Sequence, residues 1–94
     1  MLAFASLAYA GRLVAEHTPR IGVMQELHKK IGERIRAFRL KQGWSQEELA
    51  DRCNIHRGHM GQIERGEKNL SIDTLVKVSK GLDMTVSALL KGIV

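Results

Sequence analysis

Apolar residues recur at helical spacing in five successive stretches, separated by glycines and polar breaks. Leu27, Ile31, Ile35 and Phe38 form one stripe over residues 25 to 41, which Gly43 ends, and this predicts a first helix. Its other face carries Lys29, Arg34, Arg36 and Lys41 and reads as solvated. Leu49, Ala50 and Cys53 mark a short second helix, and Met60 with Ile63 and Glu64 marks a third at i, i+3 and i+4. Ile72, Leu75, Val78 and Leu82 turn one face of a fourth helix inward, with Gly81 at its end. Val86, Leu89 and Leu90 form a last short helix, and Ile93 and Val94 complete an apolar C-terminus. Nine glycines against a single proline suit short helices with glycine stops better than a β-sandwich with frequent turns, so the expected fold class is all-α: a compact five-helix bundle with almost no strand.

Cap residues sharpen the boundaries of the second and third helices. Ser45 and Glu48 stand in the S-x-x-E capping box, and Glu47, Glu48 and Asp51 place negative charge near the helix start, where the dipole favours it. Asn54 and Ile55 interrupt that helix, and Gly66 sits just past the next, where φ is positive. Ser71 is the N-cap expected for the fourth helix. On a wheel of about 100° per residue, the third helix directs Gly58, Gly61, Gln62 and Arg65 outward, with Arg57 and His59 at the margins. Glu64 points inward beside Ile63 and Met60, and a buried carboxylate requires a partner.

Residues 1 to 16 are a separate apolar, alanine-rich block without charge before Arg12. A basic n-region is missing and the block falls short of the about 20 apolar residues of a membrane span, which argues against a signal peptide or anchor. Pro19 and Gly22 are expected to break any helix there. The chain therefore divides into an extension or dimer arm over 1–23 and a domain over 24–94.

Composition narrows the function. A formal charge of +5 and a pI near 9.8 favour an acidic partner, nucleic acid before an anionic membrane surface. Cys53 is the only cysteine, so no intrachain disulfide forms, and a reducing cytoplasm is the natural compartment. It reads as a small buried hydrophobe, and Trp44 as a lid over the core. The four histidines lie in no zinc-ligand spacing with Cys53, and no nucleophile has a base beside it. No metal, no cofactor and no enzyme activity are expected.

Ser45-Gln46-x-x-Leu49-Ala50, Ile55-His56-Arg57 and Ile63-Glu64-Arg65-Gly66 together resemble the helix-turn-helix domain of the phage-repressor and Cro type, the Xre-like family, over about residues 27 to 91. Within it the wording is nearest to the small controller proteins of restriction-modification systems. The chain departs from the family pattern at Gly58 and Gly61, where small polar or larger residues are more usual. The resemblance implies a lambda-repressor-like fold, a dimer on double-stranded DNA, phosphate contact by Gln46, and pairing of Glu64 with Arg39.

Residue chemistry fills in the interface. Arg57 is placed to bond guanine O6 and N7, Gln62 to pair with adenine, and Gly58 and Gly61 to let backbone approach the bases. Two glycines on one exposed helix face cost about 1 kcal/mol each relative to alanine, so they need such a reason. His56 serves as a phosphate contact or a simple cap, and Arg65, Lys68 and Asn69 clamp the backbone. The expected function is a homodimeric transcriptional regulator on a pseudo-palindromic operator, its seam at the apolar C-terminal end. Two other readings remain open on sequence alone: an antitoxin whose apolar leader holds a toxin, and a membrane-tethered regulator. A toxin or RNA polymerase is a further candidate partner.

Overall fold

The computed structural model describes the backbone of residues 2–93 and the side chains of residues 22–93. Five helices follow one another: α1 (Leu2–Gln42), α2 (Gln46–Cys53), α3 (Arg57–Glu64), α4 (Ile72–Gly81) and α5 (Val86–Leu90). No strand occurs among the described residues.

The C-terminal part of α1 supplies Ile31 and Ile35 to a core completed by Leu49, Ala50 and Cys53 from α2, Met60 and Ile63 from α3, Val78 and Leu82 around α4, and Leu89 from α5. Ile35, Leu49, Met60, Ile63, Val78 and Leu89 are fully enclosed. Leu27, Phe38, Trp44, Leu75, Leu90 and Ile93 close its margins. Burial of these side chains against one another, at about 1.5–3 kcal/mol for a fully buried aliphatic, holds helices that are too short to persist alone.

Two glycines set how closely the helices approach. Gly32 of α1 lies directly against the carbonyls of Ile63 and Glu64 at the end of α3, where a Cβ would overlap backbone. Gly81 of α4 lies in the same way against Sγ and the backbone of Cys53 in α2. This contact, and not a left-handed stop, is the use of Gly81: the reversal after α4 is made by Asp83 at φ +58, whose N–H bonds Lys80 O at 3.0 Å.

At the level of the fold, the structure corrects three expectations and narrows a fourth. α1 runs unbroken through Pro19 and Gly22: the proline forgoes one backbone donor, and the backbone continues as helix on either side of it. Ile72 is 76% exposed; it occupies the first position of α4, beyond the reach of the core. Arg34 is not simply solvated, since its Nη1 donates to Leu89 O at 3.2 Å and Lys91 O at 2.7 Å, closing the C-terminus of α5. The C-terminal apolar residues are largely consumed by the subunit's own core: Leu89 is buried, and Leu90 and Ile93 pack against it.

Candidate nucleic-acid interface

The turn between α2 and α3 is fixed by local chemistry. Ser45 Oγ accepts from Glu48 N–H at 3.0 Å, while Glu48 Oε1 accepts from Ser45 N–H at 3.1 Å. At the other end Asn54 takes φ +56, and its N–H and that of Ile55 fold back onto Asp51 O and Ala50 O. Asparagine tolerates this left-handed conformation better than most residues. His56 Nδ1 then accepts from Gly58 N–H at 3.1 Å and starts α3. Gly66, at φ +71, reverses the chain after α3 and packs against the Lys29 backbone.

Beneath this pair lies a buried polar network. Arg39 Nε donates to Glu64 Oε2 at 2.8 Å and Arg39 Nη2 to Glu64 Oε1 at 3.0 Å, a two-pronged bond with both side chains almost fully enclosed. Gln46 Nε2 donates to the same Oε1 at 3.1 Å, and Arg39 Nη1 reaches Trp44 O at 2.9 Å. The Glu64 carboxylate thus ties the end of α1, the start of α2 and the end of α3, and Arg39 adds the loop before α2. No buried side-chain polar atom is left unpaired among the described residues. The Gln46 bond went unread in the sequence, because it depends on a distance across two helices.

Above the network is an open groove lined by Ser45, Gln46, Glu47, Arg57, Gly58, Gly61 and Arg65. Arg57 stands exposed at its edge, and one guanidinium nitrogen, Nη1, meets Glu47 Oε2 at 3.3 Å. Gly58 is exposed, and Gln62 and His59 are half-buried. Gly61 is buried, contrary to its expected outward position: a Cβ there would lie 3.1 Å from Arg65 Nη1 and 3.4 Å from Gln46 Oε1. The long side chains of two neighbours cover it, which the helical wheel does not register.

Arg65 is exposed, yet its fork is occupied, with Nε on Glu67 Oε2 at 2.8 Å and Nη2 on Glu67 Oε1 at 3.2 Å. The pairing raises the Arg65 pKa further and lowers that of Glu67. Lys68 and Asn69 are exposed in the following loop. Arg52 stacks over the Trp44 ring, 3.8 Å from its centroid, which shields the half-buried indole.

The profile of the helix-turn-helix family matches residues 35–89, more than half of the chain and all of α2 and α3. The chain belongs to this helix-turn-helix family. It is similar to the control protein C.BamHI of Bacillus amyloliquefaciens, 43% identical over 64% of this chain and 75% of that protein, and to the control protein C.SmaI of Serratia marcescens, 34% identical over 69% and 77%. The crystal structure of the restriction-modification controller protein C.AhdI from Aeromonas hydrophila superposes with a TM-score of 0.64 at 35% identity, covering 66% of this chain and 94% of that one. This helix-turn-helix protein is therefore a DNA-binding transcription regulator by fold and by family. These relatives lend no support to the antitoxin reading, and no described helix is long and apolar enough to cross a membrane.

Proposed function

We propose that the protein binds a pseudo-palindromic operator as a homodimer, each subunit laying α3 in a major groove, with half-sites about 34 Å apart along the duplex. Arg57 reads guanine and Gln62 a neighbouring base, while Gln46, His56, Lys68 and Asn69 meet phosphates and set the register. The observation that carries this reading is the exposed Arg57 at the rim of an open α2–α3 groove whose floor is locked by Arg39, Glu64 and Gln46. A rigid support suits base readout, because the cost of ordering the reading helix falls before DNA arrives.

The site also assigns finer roles. Gly61 takes part as the point over which Gln46 and Arg65 lie, and Gly58, next to Arg57, leaves its part of the groove wall free of a side chain. Arg65 contacts phosphate only after leaving Glu67. Residues 1–23 serve as an N-terminal extension or dimer arm, and 24–94 as the DNA-binding unit. The dimer seam uses the half-buried Val86, Leu90 and Ile93. The protein acts in the cytoplasm, by binding and not by catalysis.

Selection of bound duplexes from a random pool tests the proposal. Wild type is expected to yield a two-fold symmetric consensus, and Arg57→Ala to lose preference at one base position in each half-site. An identical consensus for both proteins rejects the role of Arg57.

A further inference from the structure

The two arginines on the groove are held by carboxylates in different ways. Glu67 takes Nε and Nη2 of Arg65 and closes its fork. Glu47 takes only Nη1 of Arg57, from the first turn of α2, and Nε and Nη2 have no hydrogen-bond partner among the described residues. Neither Arg57 nor Glu47 is buried, with side chains 70% and 65% exposed, and this pairing is the one hydrogen bond to the guanidinium among the described residues.

An unpaired arginine at the end of a flexible stem has two partners on a duplex, the phosphate nearest to it and a base edge deeper in the groove. A carboxylate beside it acts on both choices. It repels phosphate, and it holds the guanidinium in one direction with a planar edge still available for the two-pronged bond to guanine.

We infer that Glu47 is a positioning residue that sets base specificity: it keeps the Arg57 guanidinium aimed into the groove and away from the DNA backbone. This rests on the reading of Arg57 as a base contact. Glu47 touches no base in this scheme; it acts through Arg57. The Glu67–Arg65 pair provides an internal control, because removing Glu67 changes the charge of the same face by the same amount without touching Arg57.

The test measures the affinity of the full-length protein for a duplex selected from a random pool, for single-base variants of it, and for the unselected pool, at about 0.1 M salt. Glu47→Ala is expected to bind the unselected pool about 2- to 5-fold more tightly, the size of effect expected from one exposed ion pair. It is expected to lose about fivefold or more of the discrimination at the base that Arg57→Ala also stops reading. Glu47→Gln, which keeps an acceptor for Nη1, restores part of that discrimination. Glu67→Ala tightens binding to the unselected pool and leaves discrimination intact. Helical circular dichroism matching wild type shows that the variants are folded, as exposed positions predict.

Unchanged discrimination in Glu47→Ala overturns the inference. So does a change at a base position that Arg57→Ala leaves alone, since Glu47 then reads that base itself. If wild type shows no preference for any duplex, it is the DNA-reading proposal that fails, and the two failures are told apart by that single control.

Discussion

Glu64 joins three helices inside the protein, accepting from Arg39 of α1 twice and from Gln46 of α2 once. Glu64→Ala leaves a buried guanidinium without its counter-charge, which costs about 3–5 kcal/mol. Melting is expected to fall by more than about 10 °C, and a shift below about 2 °C contradicts the account. The sequence marks Glu64 as needing a partner because a carboxylate lies on an apolar face; it does not reveal that Gln46 joins, since two residues 18 apart share no local pattern. Cys53 offers a second residue-level test. Burial pushes its thiol from 9.0 up to about 11, so the folded state keeps the proton that the unfolded chain gives up first. Its contribution is fully present below pH 9 and is lost as pH rises through about 11, by about 2–3 kcal/mol. Denaturant midpoints measured across that window should fall for wild type by more than for Cys53→Ala; equal slopes refute the assignment.

At the scale of elements, the boundaries of α2 and α3 were legible because caps are local. Ser45 with Glu48, Asn54 and Gly66 each act within four residues of their own backbone. What pattern alone did not disclose depends on neighbours: the burial of Gly61 under Gln46 and Arg65, the service of Arg34 to α5, and the exposure of Ile72 before the core begins. Glycines separate the two kinds of information well. Gly22 has nothing within 4 Å of an added Cβ, whereas at Gly32 the carbonyls of Ile63 and Glu64 block it. Gly22→Ala is expected to be neutral or to stabilise by up to about 1 kcal/mol through helix propensity. Gly32→Ala is expected to destabilise by about 1–3 kcal/mol, because α1 must move off the end of α3. Chemical denaturation of the pair decides; stabilisation by both removes the close α1–α3 contact from the account.

For the molecule as a whole, stability and recognition meet in one place. The network that holds α3 to α1 and α2 shares Gln46 with the groove that displays Arg57, so the helix carrying the reading residues is anchored to the core. The all-α class and the helix-turn-helix were readable from spacing and caps, and the family match over residues 35–89 agrees with them. The continuity of α1 across Pro19 was not, because the proline rule weighs one hydrogen bond against a helix and says nothing about the flanks. The most direct test of the central claim is a double-mutant cycle between the protein and its DNA. Wild type and Arg57→Ala are titrated with a selected duplex in which each guanine in turn is replaced by 7-deazaguanine, which lacks the N7 acceptor. The account predicts coupling of about 1–3 kcal/mol at one guanine in each half-site and additivity at the others. Additivity at every guanine would contradict it.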